Sequence, residues 1–271
     1  MNIKINNNIL ELVGNTPILN VSPIHSVGNI FAKLESFNPT HSIYDRIALG
    51  LIENALFNQN LFDGGTVLDA VDNEMGVSLA MVCAVKGLNC VLIVPQDFDQ
   101  ILKNRVQSYG AKIEIVNGGI IEAIKKARSR SMSLYRGAFV PSMVGADVLI
   151  SCCSLIAQEI WRRIGDIVDT IVLPLCIGVL ATVIIDYYSN KNSRISFVLA
   201  SGTDIQKNDI LDIQNKVQTH IVDIDSIYDS MQELGNIGIS AGIMSSTVYS
   251  ASKQLAQDRK NHKNILALFA D

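Results

Sequence analysis

The stretch "TVLDAVDNEMGVSLAMVCAVKGLNCVLIVP", Thr66–Pro95, decides the fold. "TVLDA" (Thr66–Ala70) and "CVLIV" (Cys90–Val94) are short apolar runs of the kind that form strands buried on both faces. Between them "GVSLAMVCAVKG" has helix length and closes on Gly87, at the position where a helix end favours glycine. Two strands joined through a helix lie parallel, so the segment predicts a βαβ crossover. "KIEIV" (Lys112–Val116), "TIVLP" (Thr170–Pro174), "ISFVL" (Ile195–Leu199) and "ILALF" (Ile265–Phe269) continue the strands. "DQILKNRVQSYG" and "ADVLISCCSLIAQEIWRRIG" are helix-length segments that again end on glycine. The expected fold class is α/β, with mainly parallel sheets covered by helices and ligands bound at the carboxyl ends of the strands. No internal repeat, low-complexity tract or long linker interrupts the pattern.

With 271 residues and 48% hydrophobic content, the chain can bury one large core or two modest ones. A formal charge of only -4 and the lack of a long basic run leave a nucleic-acid footprint without support. The cluster "RKNHKN" from Arg259 reads as a solvated helix end. No apolar run reaches the roughly 18 residues of a membrane span. "MNIKINNNILELVG" lacks the apolar centre and small-residue cleavage site of a secretory leader, so a cytoplasmic protein is expected.

The cysteines Cys83, Cys90, Cys152, Cys153 and Cys176 are odd in number and show no C-x-x-C spacing. They imply neither a disulfide framework nor a zinc site, and read mostly as small buried apolar residues. His25, His41, His220 and His262 are scattered, so no metal site is expected from them. A P-loop, G-x-G-x-x-G, G-x-S-x-G and H-E-x-x-H are all absent.

"LESFNPTHSIYDRIALGLIENA", Leu34–Ala55, reads as a loop entering an amphipathic helix. Ser42 can cap its first turn, with Asp45 three residues on, a capping-box arrangement. Tyr44 stands where a side chain would be offered to a pocket.

"LVGNTPILNV" (Leu12–Val21), "IFAKLESFNP" (Ile30–Pro39) and "DRIALGLIENA" (Asp45–Ala55) resemble the opening of cysteine synthase, O-acetylserine sulfhydrylase, of the tryptophan-synthase-β-like pyridoxal-phosphate (PLP) family. The likeness runs on in order through "GVSLAMVCAVKGLNCVLIVP", "YGAKIEIVNG", "QEIW", "VDTIV", "GNIGISAG" and "ILALFAD", over nearly the whole chain. It implies the fold type II architecture of that family, two αβα lobes with mainly parallel sheets. The smaller lobe would take residues 1–140, with the first 35 or so packed on the other lobe, and the C-terminal lobe residues 141–271. Activity has to be argued from the site.

At the site this sequence departs from the family. The family's S-V-K-D-R, whose lysine forms the PLP imine, corresponds to Ser42, Ile43, Tyr44, Asp45 and Arg46. A phenol cannot form an imine. The T-S-G-N-T-G loop that receives the substrate carboxylate corresponds to Val71, Asp72, Asn73, Glu74 and Met75 ahead of Gly76, so two carboxylates stand where an anion docks. The phosphate cradle G-T-G-G-T corresponds to Cys176, Ile177, Gly178, Val179 and Leu180, with one glycine kept and both hydroxyls replaced. The Q-F-x-N-P motif falls near Ser142, Met143, Val144, Gly145 and Ala146. The chain is shorter than the family between "ISFVLASG" and "DILDIQNKVQ", and it ends at Asp271, before the family's serine on the pyridine nitrogen.

The resemblance with these departures implies a pseudoenzyme: PLP binding lost, no catalytic residue, and a regulatory, binding or complex-forming role. The expected partners are a second copy or an active cysteine-synthase-like relative. The serine acetyltransferase tail, which brings a carboxylate to the loop carrying Asp72 and Glu74, is disfavoured. Two alternatives stay open: a PLP-independent enzyme using Tyr44, Asp72 and Glu74, and a residual PLP enzyme of cysteine-synthase type using another lysine. Lys33 in "FAKLE" gives the latter no support, since the family has a lysine there without using it for the imine.

Overall fold

A computed structural model describes residues 5–58, 60–133, 138–191, 194–202, 217–257 and 263–271. In chain order these form β1 (Ile18–Asn20), β2 (Asn29–Leu34), α1 (Tyr44–Phe57), β3 (Thr66–Ala70), α2 (Met75–Val85), β4 (Asn89–Pro95), α3 (Gln100–Ser108), β5 (Lys112–Val116) and α4 (Ile120–Ser133). Then follow α5 (Ala146–Ile164), β6 (Thr170–Pro174), α6 (Val179–Lys191), β7 (Ser196–Gly202), β8 (Val217–Val222), α7 (Ile224–Asn236), α8 (Ile243–Ala256) and β9 (Asn264–Phe269). The chain divides into two compact units, one of residues 1–13 and 38–152, the other of residues 14–37 and 153–271.

The first unit carries a parallel sheet in the order β3-β4-β5. Alternation along its strands sorts the side chains. Val67, Cys90, Leu92 and Val94 pack with Ile52 of α1 and with Leu79 and Cys83 of α2. Leu68, Ala70 and Ile93 face the other way, onto Ala123 and Ala127 of α4. Both faces of β3 and β4 are thus covered, which explains why these two strands read as largely apolar runs rather than alternating ones. Helix α2 ends as expected: Gly87 lies at φ +66 with its N–H on the Ala84 carbonyl, a conformation that disfavours other residues. Gly76 serves closeness instead, since a Cβ there would meet Val71 Cγ2 at 2.9 Å.

The second unit carries a sheet in the order β1-β2-β9-β6-β7-β8, parallel except for the β1–β2 hairpin. Ile30, Val172, Val198, Ile265 and Phe269 pack with Ile227 of α7 and Val248 and Tyr249 of α8. The alternate residues Ile171, Leu173, Leu266 and Leu268 are buried too, so this sheet is also covered on both faces.

The expected α/β class with mainly parallel sheets holds. One local expectation is corrected. Ser42 and Asp45 do not form a capping box: the Ser42 hydroxyl accepts from the Tyr44 N–H at 3.3 Å. The Asp45 carboxylate turns instead to Thr40 and Ser78, donors that satisfy it better inside the core. Residues 259–262 of the basic cluster, including His262, and most of "DILDIQNKVQ" lie outside the described residues.

Candidate functional site

Tyr44 is the first residue of α1 and is half-buried. Its setting is built by Asp45, which is fully buried and accepts from the Thr40 N–H at 2.7 Å, the Thr40 hydroxyl and the Ser78 hydroxyl at 2.6 Å. Ser78 belongs to the first turns of α2, so this carboxylate joins the starts of two helices, where backbone dipoles favour negative charge. Arg105 of α3 donates to the Thr40 carbonyl at 2.8 Å and holds the loop from outside.

The loop at 71–75 lies in the same unit, between β3 and α2. Val71 is buried, Asp72 exposed, and Asn73, Glu74 and Met75 half-buried. Asn73 Oδ1 accepts from the Met75 N–H at 3.0 Å, so the asparagine closes the turn into α2. The loop therefore presents one solvated and one half-covered carboxylate beside a helix start.

Cys176, Ile177, Gly178, Val179 and Leu180 lie in the second unit, between β6 and α6. Gly178 takes φ 44, ψ -111, and a Cβ there would meet nothing within 4 Å. Ile177 and Leu180 are buried, while Cys176 and Val179 are exposed. The nearby Thr182 hydroxyl sits 3.4 Å from the Gly178 carbonyl, within its own helix turn. Cys176 Sγ lies 3.0 Å from Met244 Sδ at the entrance of α8. That entrance is capped by Asp271, whose carboxylate accepts from the Met244 and Ser245 N–H groups at 3.1 and 2.8 Å.

Lys33, also in the second unit, is fully buried. Its Nζ donates to the Thr16 carbonyl at 2.6 Å and to Glu159 Oε1 at 2.5 Å, and lies 3.6 Å from Glu35 Oε1. An ammonium engaged in this way is not a nucleophile.

Asp69 carries a feature that sequence reading missed, although one acid inside a five-residue buried strand was the available signal. Its Oδ2 accepts from the Ser142 N–H at 3.0 Å, tying down the turn Pro141–Met143, which overlaps the start of the Ser142–Ala146 stretch. Burial raises its pKa from 3.8 to about 6, against the lowering effect of hydrogen bonds from Ser142 and Ala70. The folded chain thus keeps a proton that the unfolded chain releases above pH 3.8. Stability is greatest below that value and falls as pH rises through about 6. The loss at neutral pH is about 3 kcal/mol. Urea unfolding should show it as a pH-dependent decline in the wild type that Asp69→Asn lacks; a constant difference between the two would contradict it.

Among the described residues, no group of three or more His, Cys, Asp or Glu side chains could hold a metal ion, and no helix is long and apolar enough to cross a membrane.

The comparisons agree with this architecture. Cysteine synthase B of Campylobacter jejuni is 35% identical over 127 residues, covering 46% of this chain and 42% of that protein. Cysteine synthase of Staphylococcus aureus is 32% identical over 138 residues, covering 49% and 44%. The matched stretches thus span less than half the length of these relatives. A hydrogen sulfide-producing enzyme from Fusobacterium nucleatum superposes with TM-score 0.87 at 20% identity, over 100% of this chain and 97% of that one. The O-acetyl serine sulfhydrylase isoform 3 from Entamoeba histolytica gives 0.86 at 20% identity, over 100% and 90%. At such identity the two structures speak for the fold. The profile described as "Pyridoxal-phosphate dependent enzyme" matches residues 9–271, and with sheets and helix entrances arranged as above, the chain belongs to that family, with cysteine-synthase-like proteins among its relatives.

Proposed function

We propose that this chain is a cysteine-synthase-like protein that forms no PLP imine and serves as a binding or regulatory partner, pairing with itself or with an active relative. The observation that carries the reading is Tyr44 at the first position of α1, in a loop pinned by Asp45, Thr40 and Ser78. A phenol there supplies no amine to a carbonyl.

The donors at the other positions matched to the family's site do not fit the cofactor either. The start of α6 offers backbone amides flanked by Ile177 and Val179, and the Thr182 hydroxyl is turned to its own helix. Asp72 and Glu74 repel the carboxylate of an amino-acid substrate. Lys33 is engaged by Glu159 and lies near Glu35. No chemical step is therefore assigned to PLP in this chain.

Adding PLP to the purified protein should give no imine absorbance band that borohydride abolishes. Tyr44→Lys alone should not produce one, because the missing phosphate donors stay missing. A borohydride-sensitive band in the wild-type chain would overturn the reading. Co-purification from the native cell tests the pairing: recovery of the chain only alone and monomeric would count against it.

A further inference from the structure

The first unit contains a cavity of about 220 Å³ at the edge of its sheet where the strands begin. Thr66, Asn89 and Lys112, the first residues of β3, β4 and β5, line it. It lies at the opposite ends of the strands from the loop at 71–75, which follows the end of β3. Tyr44 and the residues matched to the family's site take no part in it.

Cys83 and Cys90 both line this cavity. Cys83 is in the last turn of α2 and Cys90 is the second residue of β4; the Leu88 N–H donates to the Cys83 carbonyl at 2.9 Å, folding one toward the other. The two side chains belong to one packed core cluster at this cavity, and Cys83 is the neighbour that most raises the pKa of the Cys90 thiol. Both residues are almost completely buried.

We propose that Cys83 and Cys90 are a redox pair, joined as a disulfide by hydrogen peroxide entering this cavity and reopened by exchange with a small-molecule dithiol. The Cys83 sulfur attacks one peroxide oxygen and gives up its proton; the O–O bond breaks and a sulfenic acid forms, with water leaving once the departing hydroxide takes that proton. The Cys90 sulfur then attacks the Cys83 sulfur, its proton leaves with the displaced hydroxide as a second water, and the S–S bond forms. In sum, two S–H bonds and one O–O bond are exchanged for one S–S and two O–H bonds. The two sulfurs are oxidised and the peroxide is reduced.

The surroundings favour this product over a bound soft cation. The neighbouring Cys83, and then burial, push the Cys90 thiol far above the usual thiol range, so a pair of thiolates is costly there. A disulfide is neutral and carries no such cost. The link would fasten the end of α2 to β4, and its formation does not depend on whether the chain binds PLP.

Peptide mapping of the full-length folded protein after hydrogen peroxide tests the proposal. Trypsin cuts after Lys86, between the two cysteines, and leaves each on a separate peptide, residues 47–86 and 87–103, with no other cysteine on either. The expected result is one cross-linked species lighter by two hydrogens than the sum of the peptides, absent after dithiothreitol. It should also be absent in Cys83→Ala and in Cys90→Ala. The thermal midpoint should rise on oxidation in the wild type alone. If Cys83 and Cys90 stay open to alkylation after peroxide, if they stop at sulfinic acid, or if they link only in urea, the proposal fails. The wild-type map decides this even where a variant does not fold.

Discussion

Lys33→Met should destabilise the unit that contains residues 14–37 by about 3–5 kcal/mol, the range expected when one partner of a buried ion pair is removed. The side chain of Lys33 is 0% exposed, and so is that of Glu35, while Glu159 is 14% exposed. Thr16 sits at the centre: its hydroxyl donates to Glu35 at 2.7 Å, and its carbonyl accepts from Lys33 and from Arg163, each at 2.6 Å. Methionine fills the stem volume of the lysine without its charge, leaving two carboxylates beside one guanidinium. Trp161, the only tryptophan, lies on α5 in this same unit and stacks edge-on against Tyr188 at 5.3 Å, so its fluorescence reports the loss directly. The midpoint should fall by on the order of 10 °C. Adding Glu159→Gln to Lys33→Met should recover part of it, because the cycle then removes one unpaired charge. A loss under about 1 kcal/mol would mean that the cluster is solvated and contributes as a surface pair does.

This cluster also explains where sequence reading stopped. The strands read from apolar runs coincide with β3, β5 and β6, and fall within one to three residues of the ends of β4, β7 and β9. β2 escapes the same reading because Lys33 breaks its run, and the carboxylate that neutralises it is 126 positions away on α5. β8, "VQTHIV", is an edge strand with only Val222 buried, so it lacks the apolar signature of the inner strands. β1 has only three residues. The assignment of residues 14–37 to the later half of the chain depends on β2 pairing with β9, whose facing Asn29 and Asn264 are 235 positions apart. Periodicity within a window carries no information about such a partner.

The candidate site was legible in a different way. Tyr44 can be picked out because a motif surrounds it, and the acids at 72 and 74 because they stand where an anion would dock. What could not be read was which groups hold the motif in place. Ser42 and Asp45 satisfy the spacing of a capping box, but spacing describes only local options, and Ser78 lies 33 positions further on. The buried acid in "TVLDA" and the two thiols that line one cavity likewise become visible only when strands and helices are stacked.

Asp45→Ala should cost the first unit about 3 kcal/mol, by a mechanism different from that of Lys33. Asp45 is fully buried and binds the Thr40 N–H, the Thr40 hydroxyl and the Ser78 hydroxyl. Alanine leaves these donors inside the core; Thr40 and Ser78 keep each other at 3.2 Å, but the Thr40 N–H loses its acceptor. The replacement also removes the negative charge shared by the starts of α1 and α2. Hydrogen exchange gives a local readout: the Thr40 amide should lose protection by a larger factor than amides in β4. Asp45→Asn should fall between wild type and alanine, since an amide keeps one acceptor and turns an N–H₂ toward groups that donate. Equal destabilisation by the two would show that charge, rather than the count of acceptors, holds the loop. Tyr44 follows directly, because its place at the first turn of α1 depends on that loop. If Asp45→Ala unfolds the approach to α1 while Tyr44→Phe leaves stability within about 0.5 kcal/mol, the scaffold of the site rests on the carboxylate and the phenol is the replaceable part.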